Sequence, residues 1–529
     1  MHDGSPDKGS REDIREAIVE QHEEQYDIAI VGAGPGGYST ALRAAQLGRR
    51  VALIERDATL GGTCLNRGCI PSKALITATH AIDTVHRVSE LGVNATVDGI
   101  DFGRLHDYRL HIIDTMTKGL AGLLAHRGVT VYRGEVAGLS ARTANGDGND
   151  GDTARYALTV NASPTADGGQ VERYAKAGVG EPVGTTVSVT AHDVVLATGS
   201  RPRPLPGVPF HAAVIDSTHA LEINEFPASA VIVGSGAIAL EFASMWSSAG
   251  CDVTLLIRKD RVLSGWDRRA GVTLTRELKR HGVKVVTHSH VAGIDTGANL
   301  GATVHYTRDG EDGEQTVWGQ IALIAIGRDP ITDAAWMHDA GVTLDQAGMV
   351  VTDELCRTSL PGVWAVGDIT EGPALAHRAF EQGIVVAEAI AGLDPKPVDD
   401  ATVPQVVFSA PEAASVGLTL DQAQSRDDLE SVSETVYPML GNARMLMSGS
   451  AGSMSVVSGA YASDPDVPVV LGVHIVSPLA SDLIAEAEQL VGNRVPLHDA
   501  ARLIHPHPTF AETLGEALLK ADGRPLHTR

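Results

Sequence analysis

Cysteine is scarce in this chain, with four in 529 residues. So few cannot build the dense disulfide framework of a small secreted scaffold; they point to the reducing cytosol, where a close pair is a candidate redox or metal site. Also missing is any uninterrupted apolar run near the roughly 18 residues that a bilayer-spanning helix needs. With 43% hydrophobic residues the chain therefore reads as soluble and globular, without a membrane partner. Basic residues are in deficit. Against 66 Asp and Glu stand 42 Lys and Arg, a net charge of −24, which argues against nucleic acid as a partner and favours solubility through self-repulsion. The opening Met1 to Gln25 lacks the apolar centre of a secretory signal, and its Arg11 to Glu24 stretch reads as a frayed helix or a disordered arm.

What is present in duplicate is a strand, a glycine turn and a helix. Tyr26 to Val31 (YDIAIV) runs into Gly32, Gly34 and Gly37 of GAGPGG, followed by a helical stretch Tyr38 to Leu47 and a second strand, Arg50 to Ile54, that ends on Glu55. The first glycine permits the turn, the second admits a pyrophosphate to the backbone, the third allows close packing under the helix, and the terminal acid accepts from ribose hydroxyls. The arrangement recurs at Ala230 to Val233, then Gly234, Gly236 and Ala239 of GSGAIA, a helix through Ala249 and the strand Asp252 to Ile257. Two units imply two bound nucleotides. Glu55 lies 23 positions after Gly32, and the residue 23 after Gly234 is Ile257, so the second unit lacks the ribose acid. Arg258 and Lys259 follow it instead. Cations where a carboxylate is missing suit a 2′-phosphate, so NADP is favoured over NAD there; the plainer alternative is that Arg258, Lys259 and Arg261 form a solvated turn.

Between the first unit's acid and the next helix lies Gly61-Gly62-Thr63-Cys64-Leu65-Asn66-Arg67-Gly68-Cys69-Ile70-Pro71-Ser72-Lys73. Five residues of regular helix rise about 7.5 Å, beyond the roughly 7 Å across which two Cα atoms can be bridged. A Cys64–Cys69 bond therefore needs an interrupted helix, for which Gly61, Gly62, Gly68 and Pro71 are suited, and a bond in a strained setting is easily reduced. Zinc is the competing reading, but two thiolates without nearby His or Cys leave half of a tetrahedral shell empty. Two unrelated buried thiols are the third. Cys251 and Cys356, alone near apolar stretches, are expected to be buried and structural.

GGTCLNRGCIPSKAL resembles the active-site segment of the class I flavin disulfide reductases, and its CIPSKAL ending is most similar to the dihydrolipoyl dehydrogenases among them. Nearly the whole chain fits. Ala197-Thr198-Gly199-Ser200 is similar to the family's crossover near the flavin, and Thr358 to Asp368 (TSLPGVWAVGD) to its second FAD segment. The resemblance implies FAD on Gly32, Gly34, Gly37, Glu55, Thr63, Lys73, Thr198, Gly199 and Asp368, with Asp368 on the ribityl chain. It implies NAD or NADP on Gly234, Gly236, Glu241, Arg258, Lys259 and Gly327, and a Lys73–Glu241 pair beside the flavin. Gly327-Arg328 of AIGRDP and Leu375-Ala376-His377 match family positions near the nicotinamide and the flavin. Near the C-terminus the pattern His-Pro-x-x-x-x-Glu reads onto His507 and Glu512, an imidazole to take a thiol proton and a carboxylate to orient it. His505, two residues earlier, is also typical of the dihydrolipoyl dehydrogenases; as a metal site His505 and His507 would need ligands not found nearby.

The fold implied is α/β, with two Rossmann-like nucleotide-binding domains for FAD and NAD(P) and a C-terminal α+β interface domain that makes a head-to-tail homodimer. Expected boundaries are a polar arm to residue 24, an FAD region over 25–208, a nicotinamide domain over 209–332, a second FAD segment over 333–400 and the interface domain over 401–529. Residues 141–190, longer than the family pattern, read as a β-meander with enlarged loops, a tolerated surface insertion. The expected activity is oxidation of a dihydrolipoyl dithiol, free or on a protein, through Cys64 and Cys69 to FAD and NAD(P). An NADPH-dependent reductase of a small disulfide, similar to glutathione or mycothione reductases, is the alternative favoured by Arg258 and Lys259, although Ser264 stands where glutathione reductases carry a further arginine. An inert scaffolding subunit is the third reading, and intact Cys64, Cys69, His507 and Glu512 weigh against it.

Overall fold

Gln25–Val31 (β1) is buried throughout its second half, and a strand covered on both faces belongs in the middle of a parallel sheet. In the computed structural model, which describes residues 25–142, 155–163, 169–175, 180–297 and 301–528, β1 lies between Val51–Glu55 (β2) and Thr186–Leu196 (β8), parallel to both. The N-terminal arm lies outside the described residues. The register sets Val31 against Ile54 and Leu196, so the turn after β1 opens where Glu55 ends β2. Helix α1, Pro35–Gln46, starts three residues earlier than its apolar pattern indicates, because Pro35 is preset for a first helical turn. It is followed by α2 (Gly62–Arg67), α3 (Cys69–Arg87) and α4 (Phe102–His126).

The sheet is widened on both sides. Thr130–Arg133 (β3) pairs with β2, while Glu135–Ala141 (β4) and Tyr156–Asn161 (β5) join β8 in an antiparallel meander. The remainder of the long segment departs from the expected meander. Val171–Tyr174 (β6) and Gly180–Gly184 (β7) cross to the opposite edge, where β6 pairs antiparallel with β3. A parallel sheet would otherwise end on β3 with bare backbone donors and acceptors, and Val171, fully buried, seals that edge. Strand pairing at this distance leaves no periodic trace in the sequence.

A two-stranded ribbon of β9 (Ser200–Pro202) and β18 (Arg328–Pro330) joins the first unit to the second. Between them come β10 (Val214–Ile215), α5 (Ser217–Glu222), β11 (Ser229–Val233), α6 (Ala237–Ser248), β12 (Asp252–Leu256), α7 (Arg268–Arg280) and β13 (Lys284–Val286). An antiparallel trio, β14 (Ser289–Gly297), β15 (Gly301–Arg308) and β16 (Gln315–Gly319), then precedes β17 (Ile321–Ile324). The parallel sheet runs β10-β17-β11-β12-β13. Beyond it, α8 (Ala335–Asp339) leads to β19 (Val363–Ala365), which returns to the first sheet beside β8, and α9 (Ala376–Ile390) packs against α1.

The last unit is a five-stranded antiparallel sheet with the order β20 (Gln405–Val407), β21 (Glu412–Gly417), β24 (Asp464–Ser477), β23 (Ser453–Tyr461) and β22 (Leu429–Tyr437). Its buried face meets α12 (Ala480–Gly492) and α14 (Glu512–Ala521) through Ile475, Ile484, Leu514 and Leu518. Between the strands lie α10 (Leu420–Gln424) and α11 (Ala443–Ser448), and α13 (Leu497–Ala500) precedes α14. Among the described residues no helix is long and apolar enough to cross a membrane.

Candidate active site

Each nucleotide unit is shaped by close backbone approach. Gly32 has φ of 101°, and a Cβ on it would lie 2.3 Å from the Ala197 carbonyl oxygen; one on Gly37 would lie 1.8 Å from that of Gly32. No side chain fits at either place, which lets α1 dock its N-terminus on the strand ends. The second unit repeats the first, with Gly234 facing the Ala325 carbonyl oxygen in the same way. By contrast a Cβ on Gly34 would meet nothing nearer than 3.9 Å, and one on Gly236 nothing within 4 Å. These are the open faces before the helix N-termini, where a pyrophosphate finds unbonded amides. Glu55 is held by the amides of Ala33 (2.7 Å) and Asp57 (2.8 Å), and burial pushes its carboxyl above the usual range against those two bonds. The residues fit a dinucleotide such as FAD in the first unit. In the second, Ile257 is buried while Arg258 and Lys259 are exposed, and neither forms an ion pair among the described residues. Arg261 is committed elsewhere, to Asp260 and to the Ser264 carbonyl.

The redox segment crosses directly over the first glycine turn, since a Cβ on Gly62 would lie 2.6 Å from the Gly34 Cα. Cys64 and Thr63 sit in α2 and Cys69 opens α3, with the helix broken at Gly68 (φ −146°, ψ −105°). That break is the interruption which the five-residue spacing demanded. Both thiols are free, Cys64 buried and Cys69 exposed. Their protons are unequally held. The Cys64 thiol donates a hydrogen bond to Cys69, which together with the Lys73 ammonium lowers Cys69 to about 7, against the desolvation that the surrounding protein imposes on a sulfur whose residue still meets solvent. The same bond and burial push Cys64 up. Tyr38, in the first turn of α1, is also raised, by burial and by its proximity to Cys64 and Cys69.

Lys73 lies one helical turn after Cys69. Its ammonium donates to both oxygens of Glu241 at 3.0 and 2.8 Å, bridging α3 to α6. Across the first sheet, Thr198 donates to the Ile331 carbonyl (2.6 Å), and Gly199, at φ of 74°, accepts from the Ile331 amide. Ser200 donates to Asp368 (2.5 Å) and accepts from Arg328 Nε (2.7 Å). The Gly327 carbonyl accepts from the Arg203 amide, closing the ribbon between the two units. Burial lowers Arg328, while Asp368 and then Cys69 favour its charged form.

His507 and Glu512 are joined on the last unit, Nδ1 to Oε1 at 2.6 Å, and the second carboxylate oxygen accepts from the Thr509 amide at 2.7 Å. The two bonds hold the Glu512 carboxyl below its usual range although burial opposes them. The His507 side chain is 79% exposed, and within the chain neither member bonds to the cysteines among the described residues. His505 is nearly buried, bonded to Glu486 at 2.8 Å, which raises its pKa. Cys251 and Cys356 are buried, each pushed up to about 12 by burial. Glu486, Tyr38 and Phe408 are the site neighbours that the sequence reading missed. Tyr38 was detectable as the residue following the third glycine; the other two are brought in only by tertiary packing.

The profile of the family described as pyridine nucleotide-disulphide oxidoreductase matches residues 26–383, and that of the family's dimerisation domain matches residues 403–518. The chain belongs to this family. It is accordingly an oxidoreductase that depends on FAD and works with NAD(P), and it carries the family's fold of two nucleotide-binding units and a dimerisation domain. Similar proteins include one from Geobacillus stearothermophilus, 36% identical over 95% of this chain and 97% of its own, and one from Bacillus subtilis (strain 168), 35% identical over the same shares; both are named dihydrolipoyl dehydrogenase. Among solved structures, the crystal structure of LpdA from Mycobacterium tuberculosis superposes with a TM-score of 0.79 at 27% identity, covering 94% of this chain and 99% of that one.

Proposed function

We propose that the enzyme is a dihydrolipoyl dehydrogenase, oxidising a protein-bound dihydrolipoyl dithiol to the lipoyl disulfide and passing two electrons through a Cys64–Cys69 disulfide and FAD to NAD(P)+. The observation that carries this reading is the placement of the pair: Cys64 is buried in α2 over the first glycine turn, and Cys69 stands across the Gly68 break at the start of α3, one turn before Lys73. Such a pair has one thiol to exchange with substrate and one to face the electron acceptor. The lipoyl substrate is supported by the names of the similar proteins and by the CIPSKAL and HPHPT segments.

In the oxidised enzyme His507, its Nδ1 fixed by Glu512, accepts a proton at Nε2 from one substrate thiol. The resulting thiolate attacks the Cys64 sulfur, breaking the Cys64–Cys69 bond and releasing Cys69 as a thiolate. The second substrate thiol then attacks the mixed disulfide, forming the lipoyl S–S bond and freeing Cys64. Of the two dithiol protons, one ends on Cys64 and the other reaches solvent. When bound, FAD supplies the acceptor for the electron pair and returns it as hydride to a nicotinamide. Lys73 and Glu241 hold charge where that transfer takes place, and Asp368 is assigned to the ribityl chain.

We assign the second unit to NADP, its 2′-phosphate on Arg258 and Lys259. We further assign the working enzyme to a cytosolic homodimer in which His507 of one subunit serves the disulfide of the other. Support for the dimer comes from the exposure of His507 and from Ile504, three residues away and 97% exposed, an apolar side chain suited to burial by a second copy. The specific alternative, an NADPH-dependent reductase of a small disulfide, is favoured by the same two cations. Steady-state rates with lipoamide and with small-thiol disulfides, each against NAD(H) and NADP(H), separate the two. Lipoamide turnover lost in Cys64→Ser while FAD is retained is the expected result, and full turnover by that variant would refute the mechanism.

A further inference from the structure

Three units of the fold meet at one side chain pair. Lys73 comes from α3, Glu241 from α6, and the third contributor is Phe408, immediately after β20. The Phe408 ring lies over the Lys73 ammonium, 4.5 Å from nitrogen to ring centroid. Its amide donates to Glu241 Oε1 at 3.2 Å, the same oxygen that accepts from Lys73 at 3.0 Å. Two residues on, the Ala410 amide donates to the Ser244 hydroxyl one turn along α6 (2.9 Å), so the segment is pinned to the helix that carries Glu241. Phe408 itself packs half-buried against the core cluster that contains Leu75, Leu240 and Phe242. An ammonium with a bidentate carboxylate on one side and a ring face on another has little freedom left, and a cation over an aromatic face is attracted most strongly where water is excluded.

We propose that Phe408 is a positioning residue for the redox centre: its ring face and its amide fix the Lys73–Glu241 pair and, through Lys73, set how readily Cys69 ionises. The inference rests on Cys69 being the thiolate of the reduced enzyme, as argued above. The groups acting on Cys69 are Cys64, Lys73 and Glu241, with Arg328 and Tyr38 on neighbouring elements. Of these Lys73 is the one that Phe408 touches through its ring. The interface unit thereby reaches the redox centre within its own chain, independently of His507.

A shape-preserving test separates attraction from packing. Phe408 is replaced by 3,4,5-trifluorophenylalanine, which keeps the ring and the amide but removes the negative face, and in parallel by Phe408→Tyr, which keeps it. In the FAD-loaded, dithiol-reduced enzyme the pH profile of iodoacetamide alkylation at Cys69, mapped by peptide mass, reports its ionisation constant, and the thiolate–flavin absorbance gives a second readout. Phe408→Tyr is expected within about twofold of the parent, and the fluorinated ring is expected to lower the constant about three- to tenfold. Fluorination is expected to do nothing further in a Lys73→Met background. A fluorinated enzyme that titrates with the parent, while Lys73→Met shifts the profile, overturns the role of Phe408 alone. A Lys73→Met enzyme that titrates with the parent overturns it together with the reading of Lys73.

Discussion

Removing the two cations after β12 tests the nicotinamide assignment most directly. Ile257 follows β12 at the position where the first unit carries Glu55, and Arg258 and Lys259 project beyond it without an anionic partner among the described residues. Asp260, next along, is held below the usual carboxylate range because Arg261 and Arg268 together outweigh the opposing effect of burial; those two arginines are its partners and leave Arg258 and Lys259 free. A cation about 4 Å from a phosphate charge gains about 1 kcal/mol in water and about 4 kcal/mol at an effective dielectric of 20. Both side chains are exposed, so the watery limit applies, about 1 kcal/mol each. Arg258→Ala with Lys259→Ala should therefore weaken NADP(H) by about 2 kcal/mol, or about thirtyfold in kcat/KM, since about 1.4 kcal/mol is tenfold. NAD(H), lacking the phosphate, should change by less than about threefold. The loss should shrink in 1 M salt, where the Debye length is about 3 Å. Kinetics with both nucleotides at low and high salt decide it. A parent enzyme that prefers NAD(H), or a double variant that loses both nucleotides equally, refutes the assignment.

Three further outcomes follow from the geometry. Gly37→Ala would set a methyl 1.8 Å from the Gly32 carbonyl oxygen; α1 must then lift from the strand ends, and the purified protein should lack FAD absorbance while Gly119→Ala, where a Cβ meets nothing within 4 Å, retains it. In the reduced enzyme the Cys69 thiol, lowered to about 7, is protonated below that pH and thiolate above it, so alkylation at Cys69 should rise through pH about 7 and level off, and a rise only near the ordinary thiol range would contradict the hydrogen bond from Cys64. His505→Ala removes the bond to Glu486 that pins the turn before His507; a hydrogen bond to a charged group contributes about 1.5–3 kcal/mol, and lipoamide kcat should fall at least about tenfold with unchanged FAD content, whereas unaltered kcat would show that the turn holds without it.

The nucleotide units were legible because their signals are local: a buried strand, glycines that no side chain can replace and an acid at a fixed distance all fall within about 30 residues, the size of one βαβ unit. Spacing alone also called for a broken helix between Cys64 and Cys69, and the break falls at Gly68. Illegible were features whose partner lies far away in sequence. The β6–β7 hairpin looks like more meander until β3 is seen to need an edge partner, and Glu486 and Phe408 carry no mark in their own neighbourhoods. Lys73 and Glu241 stand 168 positions apart, and only the family resemblance paired them.

The asymmetry of the two thiols follows from the same distinction. From sequence Cys64 and Cys69 are equivalent, two residues of one type in one glycine-rich segment. Their environments differ because Cys64 is within α2 against the core that includes Leu65 and Val366, while Cys69 starts a helix that carries Lys73 one turn on. Helix geometry alone would leave that lysine free to turn to solvent. What restrains it is a carboxylate from a second unit and a ring from a third, so that its share in lowering the thiol belongs to the assembled fold. Separating either unit from the first should raise Cys69 only by the share that a restrained Lys73 contributes, because the larger influence, the hydrogen bond from Cys64, lies within α2 and α3 and stays with them.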